Sequence, residues 1–323
     1  MGADRPGDLD YLNSIVRCKI GVITLIGPVH LEYFGSIDQI QKEKGKLIEQ
    51  LPKDGYAILN YDNEKTRQIK NVSKAKVLTY GFDEKVDVRA REMIFSFIDD
   101  KIIRGVSFKI TYQGSSVPVF LPNVLGSSVV YAALAGATVG LSLGLNLVNI
   151  SQALREFKSP RGRMNIISGL KQALIIDDTY NSSPQAAIAA LEVLQAMPVK
   201  EGARRIAVLG DMLELGSYSE AGHQEVGKYL AKLKIDKLIS VGERARDFCQ
   251  AAKQAGMAEA GIIQFADTLS ASKFVREIIK EGDIVLVKGS QGMRMEKIVK
   301  EIMAEPQKAK DLLVRQEEEW LKK

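Results

Sequence analysis

The chain has 323 residues, of which 46% are hydrophobic and 26% charged, and its formal net charge is +5. This composition is ordinary for a globular protein and excludes the disordered and fibrous classes, and the length predicts two domains. Lysine and arginine are spread along the chain without a basic block, which argues against a nucleic-acid-binding groove. Cys18 and Cys249 stand far apart, which indicates a reducing compartment without a disulfide framework.

The first half of the chain predicts alternating strands and helices. The N-terminal stretch MGADRPGDLDYL has no apolar core and is not a signal peptide, so we expect a cytoplasmic protein. Strands are predicted at residues 19–26, 56–62 and 76–82, and an amphipathic helix at residues 36–51. From about residue 86 to 121 the pattern changes to short strands with turns, which predicts a small antiparallel insert or sheet edge.

An uncharged stretch at residues 110–154 raises the question of a membrane span. It contains three glycines spaced four apart, Gly136, Gly140 and Gly144, a spacing found where transmembrane helices pack. Prolines, serines and asparagines interrupt the stretch, and its helical part is marginal in length for a span. We therefore predict a buried helix of a water-soluble domain, whose glycines allow close packing.

The second half predicts an α/β domain with a doubly wound parallel sheet. Residues 158–167, KSPRGRMNII, form a Pro/Gly/basic hinge, and we place the domain boundary between residues 159 and 160. Five strand-like runs follow, each succeeded by a helical stretch, which is the βα repetition typical of such sheets. The five runs are ALIIDDTY, RRIAVLGDM, KLISVG, IIQFAD and DIVLVKGS.

Polar residues follow four of the predicted strands, at the end where parallel sheets usually bind ligands. For any one of them a helix cap or a loop charge is the simpler interpretation. Four strands ending in this way in two domains favour a ligand site. These residues are Asp177 and Asp178, Asp211 and Glu214, Lys288 and Ser290, and His30.

The stretch DDTYNSSPQA combines a helix start with two aspartates. Ser182 or Ser183 is the expected N-cap and Pro184 the first helical residue. Capping does not explain the paired aspartates, and a carboxylate at this position could accept hydrogen bonds from ribose hydroxyls. In the hinge, Arg161 and Arg163 either contact a phosphoryl group or belong to a solvated basic linker.

Two nucleotide-binding motifs are absent from the sequence. There is no G-x-x-x-x-G-K-[ST], and therefore no P-loop. No G-x-G-x-x-G follows a strand, which argues against a Rossmann oxidoreductase that uses a nicotinamide cofactor.

The motifs, taken in order, resemble those of the Mur ligase family. The resemblance rests on GADRPGDLDYL, ITLIGPVHLEYFGS with KEKGK, SPRGRMNII, IIDDTYNSSPQA, VLGDMLELG and VLVKGSQGMRME, and it spans essentially the whole chain. It implies that residues 1–159 are the latter part of the central (ATPase) domain. Residues 160–323 would then be the Rossmann-like C-terminal domain. The family's P-loop and a magnesium-binding glutamate would lie upstream of Met1, so we expect an N-terminally truncated chain.

Within the family the motifs are most similar to those of the member that joins D-alanyl-D-alanine to UDP-N-acetylmuramoyl-tripeptide. This resemblance implies a monomeric, cytoplasmic ligase of peptidoglycan precursor synthesis that uses ATP and Mg²⁺ through an acyl phosphate. Two alternatives remain open. One is another acid–amino-acid ligase of the superfamily, and the other is a non-catalytic remnant that has lost ATP turnover.

The resemblance also implies roles for individual residues. His30 and a carbamylated Lys44 would bind Mg²⁺, while Lys42 and Lys46 on the same predicted helix would be solvated. Arg163 would meet the nucleotide phosphates and Asp178 the ribose. Tyr180 and Asn181 would line the nucleotide and dipeptide side. Glu214, His223, Lys288 and Ser290 would face the dipeptide and the acyl phosphate.

The sequence departs from the family pattern at two places. Ser128, Val129 and Ala132 occupy positions where the family has His, Asn and Asn next to the adenine. Gln291 stands where arginine is usual, with Arg294 close by in sequence. The first departure affects the recognition of adenine, and both departures, together with the missing P-loop, leave open a weakened or lost activity. The missing P-loop favours the remnant alternative.

Overall fold

The computed structural model describes residues 2–98 and 102–321. The chain divides into two compact units, Met1–Lys158 and Ser159–Lys323. The division falls inside the hinge segment at residues 158–167. Each unit contains one six-stranded sheet, so each builds its own core.

The first unit is an α/β layer whose sheet follows chain order, β1-β2-β3-β4-β5-β6. Strands β1 to β4 pair in parallel, and β4, β5 and β6 pair antiparallel, which confirms the predicted antiparallel edge. The strands are β1 Ile20–Ile23, β2 Tyr56–Asn60, β3 Lys76–Gly81, β4 Val88–Ile98, β5 Ile102–Tyr112 and β6 Ser115–Pro122. The helices are α1 Asp8–Ile15, α2 Leu31–Phe34, α3 Ile37–Glu49, α4 Glu64–Gln68, α5 Ser127–Ser142 and α6 Leu147–Leu154.

Helix α3 forms where the sequence predicts it. Ser36 is its N-cap, and the hydroxyl oxygen accepts a hydrogen bond from the N–H of Gln39, which satisfies one free donor of the first turn. Ile40 and Ile48 are fully buried against the sheet. Glu43 is buried as well, and it accepts hydrogen bonds from the N–H groups of Gly7 and Leu9, both at 3.0 Å. This carboxylate therefore fixes the start of α1 against α3.

Helix α5 is the uncharged helix, and it lies in the core of the first unit. Val130, Ala133 and Leu134 are at most 1% exposed. Only Gly140 has the predicted packing role, since a Cβ there would lie 3.3 Å from Ile150 of α6, whereas one at Gly136 would meet nothing within 4 Å. Among the helices of the described residues, none is long and apolar enough to cross a membrane.

The second unit is a doubly wound sheet in the order β11-β10-β9-β12-β8-β7. The strands from β8 to β12 are all parallel, which confirms the predicted architecture. The strands are β7 Asn165–Ser168, β8 Leu174–Asp178, β9 Arg205–Gly210, β10 Lys237–Val241, β11 Ile262–Phe265 and β12 Ile284–Lys288. The helices are α7 Pro184–Ala196, α8 Ser219–Leu230, α9 Ala245–Gln254, α10 Thr268–Ile278, α11 Glu296–Ile302, α12 Ala309–Leu312 and α13 Glu318–Leu321.

In the central strands of this sheet, buried residues follow one another without alternating with exposed ones. All five residues of β12 and the last five of β9 are buried, because helices cover both faces of a parallel sheet. Strand β7 was not predicted and pairs antiparallel with β8 at the edge. Strand β12, the last strand in the sequence, lies between β8 and β9, because the chain leaves a gap beside β8 when it continues to β9 and fills this gap at the end. The carboxyl ends of β8, β12 and β9 therefore lie side by side.

Candidate active site

Lys288 lies at the centre of the carboxyl edge of the second sheet. Its register partners are Asp178 on β8 and Leu209 on β9. The ammonium Nζ donates to Asp178 Oδ2 at 2.6 Å and to the carbonyl oxygen of Asn181 at 2.9 Å. The Lys288 residue is 2% exposed. The structure thus brings together three residues for which the sequence predicted separate nucleotide and substrate roles.

The start of α7 has the predicted capping geometry. Ser183 is the N-cap and its hydroxyl accepts from the N–H of Ala186, with Pro184 in the first turn. Asn181 accepts a hydrogen bond from the N–H of Ser182 through its side-chain oxygen at 2.8 Å. Capping therefore explains Ser183 and Pro184, while Asp178 and Asn181 contribute to the neighbourhood of Lys288.

Ser290 joins the loops that follow β9 and β12. Its hydroxyl accepts from the N–H of Leu213 at 2.8 Å, and its own N–H donates to the carbonyl oxygen of Asp211 at 3.0 Å. Glu214 follows directly, exposed and in the left-handed region with φ 62°. These bonds hold Glu214 at the same edge of the sheet as Lys288.

His223 lies on α8 and is fully buried. Its Nε2 accepts from the N–H of Met212 at 2.9 Å, so the proton is on Nδ1, which donates to the carbonyl oxygen of Ser219 at 2.7 Å. Burial lowers the pKa of this imidazole and favours the neutral ring that these bonds require. Both ring nitrogens are engaged with backbone, which differs from the substrate contact that the sequence predicts. His223 holds the loop after β9.

Asp177, the first of the paired aspartates, points into the core and is fully buried. Its Oδ1 accepts from the hydroxyl of Thr179 at 2.6 Å, and Oδ2 has no hydrogen-bond partner within residues 2–98 and 102–321. Burial raises the pKa of this carboxyl to about 7, and the nearby carboxylates of Asp178 and Glu296 add to the rise. Of the two aspartates, only Asp178 reaches Lys288.

Arg163 and Tyr180 form a stacked pair beside this edge. The guanidinium carbon of Arg163 lies 4.2 Å from the centre of the Tyr180 ring, and Tyr180 is 39% exposed. The N–H of Tyr180 donates to the carbonyl oxygen of Gly162 at 2.9 Å. Gly162 has φ +69°, and a Cβ there would lie 3.0 Å from the N of Tyr180, so the close approach of the hinge requires glycine.

Four residues that the sequence analysis did not single out as a site lie behind this pair. Arg294, Glu296, Arg315 and Trp320 form one cluster in which Glu296 binds both arginines. Gln291 is exposed, whereas Arg294 is buried and turned toward Glu296. In this structure Arg294 therefore belongs to the cluster and does not take the place of the arginine usual at position 291. No local sequence pattern predicts the cluster, because its members are brought together only by folding.

In the first unit, His30 follows β1 at the N-terminus of the short helix α2. Its backbone is in the left-handed region with φ 53°. Its Nε2 lies 3.4 Å from Oδ1 of Asp4. An imidazole and a carboxylate thus meet at the carboxyl end of β1, where the sequence predicts a metal ligand.

Lys44 differs from the other two lysines of α3. Its Nζ donates to the carbonyl oxygen of Leu25 at 3.2 Å, and burial lowers the pKa of its amine. Lys42 is exposed, as predicted. Lys46 is partly exposed rather than fully solvated, and it lies 2.5 Å from Asp10 and 2.7 Å from Glu43, whose carboxylates raise its pKa to about 12.

Within residues 2–98 and 102–321, no three His, Cys, Asp or Glu side chains are grouped closely enough to hold a metal ion. The described protein side chains of this class therefore form no complete metal cage. Any cation bound near His30 would need other donors, such as a modified lysine or phosphate oxygens.

Two family models match the chain in succession. The Mur ligase middle domain matches residues 1–140, and the Mur ligase, glutamate ligase domain matches residues 162–291. The UDP-N-acetylmuramoyl-tripeptide–D-alanyl-D-alanine ligase of Escherichia coli K12 is 30% identical over 303 residues, 93% of this chain and 63% of that protein. The ligase of the same name from Bacillus subtilis 168 is 28% identical over 307 residues, 95% of this chain and 64% of that protein.

Solved structures agree with these sequence matches. MurF from Acinetobacter baumannii superposes with a TM-score of 0.79 at 29% identity, covering 93% of this chain and 62% of that one. MurF ligase from Thermotoga maritima in complex with ADP superposes with a TM-score of 0.77 at 25% identity, covering 93% and 65%. The chain thus spans a little less than two thirds of the length of these relatives. The chain belongs to the Mur ligase family, and the models of its middle and C-terminal domains match residues 1–140 and 162–291.

Proposed function

We propose that this chain acts in a MurF-type ligase that joins D-alanyl-D-alanine to UDP-N-acetylmuramoyl-tripeptide with ATP. The observation that carries the proposal is that three loops meet at the edge of the sheet around Lys288 and Ser290. These loops contain the motifs DDTYN, LGDMLELG and KGSQG, and Asp178, Leu213 and Ser290 place them at one edge of the sheet. The match over 93% of the chain to ligases of that name supports it.

The proposed reaction has two steps. A carboxylate oxygen of the tripeptide attacks the γ-phosphorus of ATP, so that an acyl phosphate forms and ADP leaves. The amine nitrogen of D-alanyl-D-alanine then attacks the acyl carbon. The amide bond forms, the C–O bond to phosphate breaks, and the amine loses a proton. The protein forms no covalent bond to the substrates in this scheme. It contributes by positioning the reacting groups and by stabilising the negative charge of the phosphates.

Residues of the second unit would position the nucleotide and the dipeptide. Asp178 offers a carboxylate to ribose hydroxyls, and Lys288 fixes its orientation through the 2.6 Å ion pair. Arg163, stacked on Tyr180, offers a cation to phosphate oxygens, and Asn181 lines the same loop. Glu214 would face the incoming amine from the loop after β9. The hydroxyl of Ser290 is buried and bonded to Leu213 and Ser182, so Ser290, like His223, contributes by holding the loops rather than by touching the amine.

The first unit offers the types of donor atom that a magnesium ion binds. Asp4 and His30 lie together at the end of β1. The lowered pKa of Lys44 favours the neutral amine, which is the form that adds carbon dioxide to give a carbamate and release a proton. A carbamate and a carboxylate offer the oxygen donors that Mg²⁺ prefers. When bound, the ion would neutralise charge on the phosphates.

A second candidate is a folded module that binds ligand without turning over ATP. The specific observation that favours it is that residues 1–323 contain no P-loop. Another acid–amino-acid ligase of the superfamily is the third candidate, and the DDTYN and LGDMLELG motifs argue against it.

The natural polypeptide that carries this sequence, isolated from its own cells, tests the proposal. Its intact mass is measured first, to establish whether the natural chain is longer than these 323 residues and has room for a P-loop. Phosphate release is then followed with ATP, Mg²⁺ and UDP-N-acetylmuramoyl-tripeptide, with and without D-alanyl-D-alanine. We expect release that depends on the dipeptide. Release that depends on a different amine supports the third candidate, and nucleotide binding without release supports the second.

Substitutions on α3 and at the end of β1 test the metal assignment. His30→Ala and Lys44→Ala are expected to abolish ligation while the far-UV circular dichroism stays unchanged. Lys42→Ala is the matched control, because this lysine is exposed on the same helix, and it should retain full activity. Near-normal turnover in either of the first two variants contradicts the assignment.

A further inference from the structure

A buried ionic cluster lies at the C-terminal end of the second unit, beyond residues 162–291 that the family model matches. We call it the clamp, and it consists of Arg294, Glu296, Arg315 and Trp320. Glu296 is fully buried and accepts from Nε of Arg294 at 2.6 Å and from Nη1 of Arg315 at 3.1 Å. The ring centre of Trp320 lies 5.4 Å and 5.8 Å from the two guanidinium carbons.

Arg315 reaches out of this cluster to the loop that carries Tyr180. Its Nη1 donates to the carbonyl oxygen of Thr179 at 3.2 Å and its Nη2 to that of Tyr180 at 2.9 Å. One planar guanidinium thus holds two successive carbonyls while it also binds Glu296. An ammonium has no fixed fork and cannot reproduce these three bonds in the same geometry.

The residue before Arg315 supports the other side of the stacked pair. A Cβ on Gly162 would lie 3.1 Å from Cγ1 of Val314, so Val314 packs directly on the hinge. Gly162 in turn accepts the N–H of Tyr180 and precedes Arg163. Val314 and Arg315 therefore restrain both members of the Arg163–Tyr180 pair, one through the hinge and the other through the loop.

The clamp contains features that lower the stability of the fold. Nη1 of Arg294 and Nε of Arg315 are buried and find no hydrogen-bond partner in the part of the chain that the structure describes. Both residues have positive φ, 54° and 57°. Buried ion clusters of this kind often contribute less stability than apolar side chains of similar volume. Strained backbone and unsatisfied buried donors are concentrated at functional sites.

We propose that Arg315 is a positioning residue, which fixes the Thr179–Tyr180 backbone and thereby the Arg163–Tyr180 pair at the nucleotide. Glu296 orients its guanidinium, and Trp320 covers it. The nucleotide is part of the proposed function, on which this inference rests. The ordering of the loop is a property of the chain itself and is measured without any ligand.

The variant Arg315→Lys keeps the charge and removes the fork. Hydrogen exchange is followed in peptides that cover residues 178–183, whose amides include that of Tyr180, bonded to Gly162. We expect exchange there to become about tenfold faster or more, while peptides from β9 and β12 keep their protection. Arg276→Lys is the matched control, because Arg276 forms an exposed ion pair with Glu301 on the same unit, and it should leave every peptide unchanged.

Nucleotide affinity provides the second measurement, made with Mg²⁺ and ADP on the same proteins. We expect the Kd to rise at least about fivefold in Arg315→Lys and to stay constant in Arg276→Lys. If the wild-type chain binds no nucleotide, the proposed function fails for this chain, and the exchange result alone then decides the positioning role. Faster loop exchange with an unchanged Kd overturns the link to the nucleotide.

Unchanged exchange at residues 178–183 in a folded Arg315→Lys protein overturns the proposal entirely. If Arg315→Lys does not fold, Trp320→Leu replaces it, because this change uncovers the guanidiniums and leaves every ion pair of the clamp in place. It should loosen the same loop by a smaller factor, and no change in that variant also overturns the proposal.

Discussion

The Lys288–Asp178 ion pair offers a test of the candidate site that does not need substrate. In the Lys288→Met variant the Asp178 side chain, which is 13% exposed, keeps one hydrogen-bond donor among the described residues, the N–H of Met164 at 3.2 Å. Removal of one partner from a buried pair costs about 3–5 kcal/mol, because the other charge remains without compensation. Since a domain is stable by about 5–15 kcal/mol, the variant should remain folded but much weakened.

The structure also predicts how the two substitutions combine. Lys288→Met and Asp178→Asn should each destabilise the second unit by about 3 kcal/mol, and the double variant by clearly less than the sum, since no charge is then left unpaired. The carbonyl oxygen of Asn181 loses the Lys288 ammonium as its donor in Lys288→Met and in the double variant alike, so this loss does not contribute to the coupling. A coupling free energy of about 2 kcal/mol is therefore expected from the double-mutant cycle.

Urea unfolding at pH 7.5, followed by tryptophan fluorescence, is the assay. Trp320 is the one tryptophan of the chain and belongs to the second unit, so the signal reports that unit. Lys253→Met is the control, because its ion pair with Glu259 is exposed to solvent, and it should leave the urea midpoint unchanged. If Lys288→Met costs as little as Lys253→Met, the reasoning about the buried pair is refuted.

Two further predictions concern Asp177 and Gly162. The folded pKa of Asp177, about 7, lies above the ordinary 3.8, so its contribution to stability is present at low pH and is lost as pH rises from about 4 to 7. Asp177→Asn should therefore match the parent near pH 4 and exceed it by roughly 2–4 kcal/mol at pH 8; equal urea midpoints at pH 8 would refute this. Gly162→Ala should cost about 2 kcal/mol, because φ is +69° and the Cβ would crowd Tyr180, and a thermal midpoint equal to that of the parent contradicts it.

Local sequence patterns predicted the elements of this protein well. The uninterrupted apolar runs gave β9, β10 and β12, and the change to short strands with turns gave the antiparallel edge β4 to β6. Ser183 and Pro184 marked the start of α7. These predictions succeeded because capping and periodicity depend on residues within a few positions of one another. The motifs in chain order were also sufficient to indicate the family.

The sequence alone gave the residue types at the site but not their contacts. Lys288 and Asp178 are 110 positions apart, and Arg315 and Thr179 are 136 apart. Strand order decides which of these side chains meet, and strand order results from packing across the whole unit. For the same reason the ion pair of Lys46 with Asp10, 36 positions away, and the burial of His223 were not foreseen. The ion pair of Lys46 with Glu43 is local, three positions away on the same helix.

The amino-acid sequence by itself indicated most of the strands and helices, which family the chain resembles, and which residues could carry chemistry. Only the tertiary structure decided which of them act together. It paired Lys288 with Asp178, turned Asp177 and His223 inward, and held Tyr180 through Arg315. The physical reason is that a side chain's charge, burial and hydrogen bonds depend on neighbours that folding brings from distant parts of the chain.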